Sequence, residues 1–138
     1  MDVTRVHHVG VVVRSIDAAY ALFRDALGLR VVKEETIEDQ GVRAALLDLG
    51  NGYLELLEPV VPETGIARYL EKRGEGLHHV CLEVDGIEAA LSQLKADGVE
   101  LIDEAPRPGL TGTIAFIHPN ALHGVLVELV DAKTALRS

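Results

Sequence analysis

A chain of 138 residues, 48% of them apolar, is long enough for one domain with a substantial core and short for two. Its formal charge of -9 at pH 7 speaks against a nucleic-acid surface, which needs clustered Lys and Arg to displace phosphate counterions. No apolar run reaches the length of a membrane span, one cysteine, Cys81, cannot build a disulfide framework, and the Met1-Asp2 start lacks the basic and apolar regions of a secretory signal, so a cytoplasmic location is expected.

In chain order, VHHVGVVV reads as a strand because β-branched residues dominate it. Ser15 is placed to cap a helix running to about Leu27, with Asp17 suited to its electropositive first turn and Gly28 to its end. Three extended segments follow, VVKEETIE, GVRAALLDLG and YLELLEP, and Asn51-Gly52 between the last two is a hairpin signal. Ile66, Tyr69 and Leu70 at helical spacing ahead of Gly74 predict a short helix from Thr64 to Lys72. HHVCLEV opens the second half as a strand, Asp85 with Glu88 has the form of a capping box, and Gly98 closes the next helix. VELIDEA, TIAFIHP and GVLVELV are the remaining extended segments. The order is β-α-β-β-β twice over, which predicts a single α+β domain over residues 1–138 with tandem modules at about 1–62 and 75–138.

The modules also match near their starts. His8 opens HVGVVVRSIDAAYALFRDAL and His79 opens HVCLEVDGIEAALSQLKADG; without a gap they share His, Val, Val, Ile, Ala and Ala. A repeat on the order of 70 residues, present twice, is too long and too few for a solenoid and fits two similar halves of one unit. Downstream, at similar spacing, each half sets a carboxylate in an apolar stretch: Glu55 in YLELLEP and Glu128 in VLVELVD. A charge among buried aliphatic neighbours needs a cation, a hydrogen-bond partner or solvent. A lone strand histidine is more often structural than a ligand, but the recurrence of histidine with carboxylate favours one metal site.

Strand alternation says which way these groups point. Val9, Val11 and Val13 share a face opposite His8, Gly10 and Val12; Val80, Leu82 and Val84 oppose His79, Cys81 and Glu83; Val125, Val127 and Leu129 oppose Leu126, Glu128 and Val130. In YLELLEP the parity is less clean, because Glu55 shares its side with Tyr53 and Leu57. The same alternation sends His7 and His78 among the valines, so the second histidine of each pair is the expected ligand. A cupped, partly open sheet with helices outside would let His8, Glu55, His79 and Glu128 converge on its concave face.

From HHVGVVV to GVLVELV the chain resembles the methylmalonyl-CoA epimerase family of the vicinal oxygen chelate (glyoxalase) superfamily, most specifically in LELLEP, YLEKRGEGLHHVCLEVDGIEAAL, IDEAPRPGLTG and AFIHPNALHGVLVELV. The resemblance implies βαβββ modules around one divalent metal ion held by His8, Glu55, His79 and Glu128. Two imidazoles and two carboxylates suit cobalt, nickel, manganese or zinc without choosing among them. It further implies interconversion of 2R and 2S methylmalonyl-CoA, by removal of the C2 proton through a metal-stabilised enolate and reprotonation on the opposite face. Glu128 is the first candidate base. Some members carry a second glutamate two residues beyond the Gly-Val of the QGV segment, where this chain has Ala44, so Glu55 is the candidate for the second role; Glu38 and Gln40 are looser candidates for positioning groups, and Glu38 with Asp39 otherwise reads as a solvated loop.

Acyl-CoA phosphates must be met locally on so acidic a chain. PRPGLTG and HPNALHG offer Arg107, His118 and His123 with glycine NH groups, against the plain reading that Gly109, Gly112 and Gly124 make turns. The resemblance marks the loop after His118-Pro119 as substrate-contacting, with Asn120 where a lysine is common and Gly124 closing it, and it implies a homodimer. Two rivals share the four-ligand pattern or the fold: a glyoxalase I-type lyase, disfavoured by HPNALHG and PRPGLTG, and a metal-free small-molecule-binding module, disfavoured by 4% aromatic residues and no Trp. A ring-cleaving iron dioxygenase normally needs only two histidines and one carboxylate.

Overall fold

The computed structural model describes residues 1–137. Among them eight strands and three α-helices follow one another in an α+β fold. They group into two compact units: a continuous one, Val9–His78, and a split one that joins Met1–His8 to the segment from His79 onward. Strand β1 (Asp2–Val12) therefore contributes its first residues to the split unit and its last to the continuous one. Among the described residues no helix is long and apolar enough to cross a membrane.

In the continuous unit the strand order is β2 (Arg30–Ile37), β3 (Val42–Asp48), β4 (Tyr53–Pro59), then the end of β1. β2 and β4 each lie antiparallel to β3. Helix α1 (Ile16–Tyr20) begins where expected: Ser15 is extended and its side chain accepts from the Ala18 N–H, which satisfies one of the orphan donors of the first turn. The helix then widens into a π-helical stretch, Ala21–Ala26, before Gly28 takes a φ of 75°. Val9, Val11, Val13, Leu54 and Leu56 pack with Ile16 and Tyr20, as the alternation in β1 requires. Helix α2 (Gly65–Arg73) is capped by Thr64 and ends at Gly74, close to the span predicted.

The β3–β4 hairpin forms where Asn51-Gly52 signals it, around a longer loop. Asp48 pairs with Tyr53, Leu49 N–H bonds to the Gly52 carbonyl, and Gly50 carries the φ of 88°. The turn is thus a four-residue loop steadied by Asp48 Oδ1 accepting from Gly50 N–H, rather than a two-residue Asn-Gly turn.

In the split unit the order is the start of β1, β5 (Gly76–Asp85), β8 (Val127–Asp131), β7 (Gly112–Ile117) and β6 (Arg107–Gly109). β5 and β8 are parallel, whereas β8–β7 and β7–β6 are antiparallel. Helix α3 (Ile87–Ala96) lies over Leu82, Val84, Val127 and Leu129. Its expected capping box does not form. β5 continues through Asp85, the left-handed Gly86 is the N-cap, and no side chain caps the helix. VELIDEA is likewise not a strand. Only Leu101 bridges to Ile117, and the Asp103 carboxylate instead accepts from the Phe116 N–H and from Arg107, which bends the segment away from strand geometry.

Candidate metal centre

Strand register assembles the centre inside the split unit. Parallel pairing sets Cys81 beside Glu128, and antiparallel pairing sets Phe116 on the other side of Glu128. His79, two residues before Cys81 on the same strand, shares that face. His8 arrives from β1. His8 Nε2 lies 2.9 Å and His79 Nε2 3.2 Å from Glu128 Oε1, and the two ring nitrogens are 3.1 Å apart. The rings meet edge to face at 5.2 Å. All three residues are buried, at 5% exposure or less.

Their electrostatics conflict without a cation. Burial alone pushes the Glu128 carboxyl up, but the imidazoles of His79 and His8 beside it more than offset this and hold it well below the usual carboxylate range. Yet Glu128 Oε1 is left without a hydrogen-bond partner despite these short distances. A buried carboxylate oxygen left this way normally costs about 1–3 kcal/mol or more. Two imidazole nitrogens and one carboxylate oxygen crowded at mutual distances near 3 Å are a donor set that fits a borderline divalent ion.

Glu55, the remaining expected ligand, sits in the continuous unit on β4, opposite Leu46 and 6% exposed. Tyr53, Leu54, Leu56 and Leu57 around it are buried too, which explains the unclear parity of YLELLEP: both faces of this strand are covered. Ala44 is fully buried on β3, pairs with Leu57 and has no proton to give. Glu38, Asp39 and Gln40 form an exposed 3-10 turn, the solvated loop that the plain reading expects.

The anion-binding candidates divide. Arg107 stands on β6 with its Nε 3.2 Å from Asp103 and its guanidinium 5.6 Å from the centre of the Phe116 ring, which in turn meets the His79 ring at 5.8 Å. A cationic fork thus lies one aromatic ring away from the centre. His118 caps the 3-10 turn Pro119–Leu122, its Nδ1 accepting from the Asn120 N–H, so its ring and that NH are engaged with each other. Asn120, His123 and Gly124 are exposed, and Gly124 has a φ of 89° with open space where a Cβ would stand. Gly109 and Gly112 have structural reasons to be glycine: a Cβ would come within 2.7 Å of the Ile114 side chain and 2.8 Å of the Thr134 carbonyl, respectively.

One residue was misplaced by the alternation rule. His7 is wholly buried, but its Nδ1 lies 2.8 Å from His8 Nδ1 and its Nε2 2.9 Å from the Leu136 carbonyl oxygen, so it does not simply join the valines. Two successive buried positions break the in-out pattern of β1 at this point. The doubled histidine was the available signal; the Leu136 contact, from the far end of the chain, had none. Burial pulls the His7 pKa down, partly countered by the Leu136 carbonyl.

Comparison with known proteins identifies the family. The Glyoxalase/Bleomycin resistance protein/Dioxygenase superfamily matches residues 7–116. Methylmalonyl-CoA epimerase, mitochondrial, of Bos taurus is 37% identical over 130 residues, covering 93% of this chain and 74% of the relative. Ethylmalonyl-CoA/methylmalonyl-CoA epimerase of Cereibacter sphaeroides is 38% identical over 128 residues, covering 91% and 96%. The crystal structure of methylmalonyl-CoA epimerase from Mycobacterium tuberculosis superposes with a TM-score of 0.88 at 38% identity, covering 94% of this chain and 88% of that one. With the fold, the histidine-carboxylate cluster and these likenesses together, the chain belongs to the methylmalonyl-CoA epimerase family of the glyoxalase superfamily.

Proposed function

We propose that this chain is a divalent-metal-dependent epimerase that interconverts the 2R and 2S forms of methylmalonyl-CoA. The observation that carries the reading is the convergence of His8, His79 and Glu128 on one buried point, with a carboxylate oxygen that no hydrogen bond satisfies. Glu55 supplies the fourth donor in this reading; its burial among apolar neighbours supports that role. Cobalt, nickel, manganese and zinc all suit the set. When bound, the ion would supply Lewis-acid stabilisation, worth several kcal/mol, for the charge that develops on the thioester oxygen as C2 loses its proton.

The protein's own groups do the rest. His8 and His79, being buried and mutually packed, hold their nitrogens in place and keep bulk water from the reacting carbon. Glu128, placed beside both histidines, is the group that accepts the C2 proton. Inversion requires a second group on the other face, because a single base that returns its proton to the same face regenerates the starting epimer. Glu55 takes that role, since Ala44 offers nothing. Arg107, presented at the face of Phe116, meets an anionic part of the acyl-CoA, with His118, Asn120 and Gly124 in the neighbouring substrate loop. The same reading places the enzyme in the cytoplasm as a homodimer, in keeping with a chain whose one cysteine, Cys81, is buried and with exposed Val3 and Val6 on β1.

Exchange of the C2 proton of methylmalonyl-CoA in deuterated water tests the proposal. Exchange that chelator abolishes and divalent metal restores is expected. Rapid conversion of a glutathione hemithioacetal without any C2 exchange would overturn it in favour of a lyase of the same fold.

A further inference from the structure

His7 is wholly buried, and the chemistry above gives it no task. Its two ring nitrogens face different partners. Nε2 lies 2.9 Å from the Leu136 carbonyl oxygen, which only accepts, so the proton of a neutral ring sits on Nε2. Nδ1 then presents a lone pair to His8 Nδ1 at 2.8 Å. Two facing lone pairs at that distance would repel, so the intervening proton belongs to His8 Nδ1. This leaves the lone pair of His8 on Nε2, the atom that stands 2.9 Å from Glu128 and 3.1 Å from His79 Nε2.

We infer that His7 is a positioning residue, a relay that carries the direction of the Leu136 carbonyl into His8 and fixes His8 as the Nδ1–H tautomer with Nε2 aimed at the cation. The inference rests on the metal-dependent reading above. Ligating histidines commonly donate their second ring N–H to an acceptor that sets orientation and raises basicity; here the acceptor is the preceding histidine. The far end of the chain is anchored to serve this purpose. Leu136 N–H bonds to the Thr111 carbonyl at 2.8 Å, and Arg137 forks onto the buried Glu83, with its Nη2 2.7 Å from Oε2. Thr4 on β1 also bonds Glu83, so the carbonyl and the histidine it meets are tied to one carboxylate. A rival use of the same atoms exists, because ring nitrogens of His7 and His8 lie within 4.8 Å of Cys81 Sγ, a second donor cluster.

The test combines tautomers with affinity. In wild-type protein labelled with 15N-histidine and loaded with Zn(II), His7 should carry its proton on Nε2 and His8 on Nδ1, with a through-hydrogen-bond coupling between the two Nδ1 atoms. A proton on His7 Nδ1 overturns the relay whatever the variants do. Titration with Co(II) is the second readout. His7→Leu should weaken binding about 10–100-fold, His7→Asn, whose Oδ1 stands near the place of the lost Nδ1, should restore most of it, and His78→Leu should match wild type. Equal affinity of His7→Leu and wild type, or a sulfur-to-cobalt charge-transfer band that marks Cys81 as a ligand, refutes the inference. If wild type itself binds neither Co(II) nor Zn(II), the metal-dependent function fails, while the tautomers of the metal-free protein still decide the relay.

Discussion

His7-His8 and His78-His79 occupy the same place in the two halves of the chain, and the first histidine of each pair does different work. His7 is buried and bonded to both His8 and the Leu136 carbonyl. His78 instead meets the Tyr69 ring edge to face at 4.8 Å, on a short helix with no counterpart in the repeat. The helices that follow diverge in the same way: Ser15 caps α1 with its hydroxyl, whereas Gly86 starts α3 by its left-handed backbone and no side chain caps it. The two halves thus place a histidine alike and hold it by different means. A ligand position tolerates little change because the cation dictates the atom, but support can come from any neighbour that fills the space and satisfies the hydrogen bond.

Variants can break this contrast. The largest effect is expected at Glu128, the donor that touches both histidines: Glu128→Ala should slow C2 exchange by about 10²–10⁴-fold and abolish tight metal retention, read by isotope exchange and elemental analysis. Full activity in that variant would remove it from the chemistry. His8→Ala and His79→Ala should each lose the metal to a similar degree, because the donors are equivalent even though their supports are not; a large disparity in Co(II) affinity would show that the halves differ as ligands too.

The anchor at the end of the chain gives a smaller, pH-dependent effect. Arg137 holds the Glu83 carboxyl below its ordinary value of 4.5, with burial acting in the opposite direction. A depressed carboxyl stabilises the folded state above 4.5 and loses that contribution as pH falls through the folded value. Arg137→Ala should therefore cost roughly 1–2 kcal/mol near neutrality, less than a fully buried pair because the guanidinium is half exposed, and the gap from wild type should close in acid. A gap in denaturant midpoint that widened in acid would contradict the sign. The smallest contrast is at the caps. Ser15→Ala should cost about 1 kcal/mol, while Asp85→Ala should stay within about 0.5 kcal/mol, as the residue caps nothing.

Much of this arrangement was legible in the residues. Alternation in HVGVVV, HVCLEV and VLVELV assigned the aliphatic faces that now pack α1 and α3, apart from Val125, which lies exposed ahead of β8, and it selected His8, His79 and Glu128, which the fold brings together. What escaped depended on contacts distant in sequence or on backbone choices that several residues permit. The Asp85-Glu88 pattern satisfied the capping rule, yet β5 runs one residue further and Gly86 starts the helix. VELIDEA has strand composition, but Asp103 finds the Phe116 N–H and turns the chain. The widening of α1 over Ala21–Ala26 leaves no compositional mark. His7 was assigned by parity alone, and only the fold reveals the carbonyl that gives its ring a direction.

Because β1 changes allegiance between His8 and Val9, the leading eight residues are a detached piece of the body that otherwise begins at His79. Damage to β1 ahead of Val9 would therefore be felt where His8 meets His79 and Glu128, before it disturbed β2, β3 and β4.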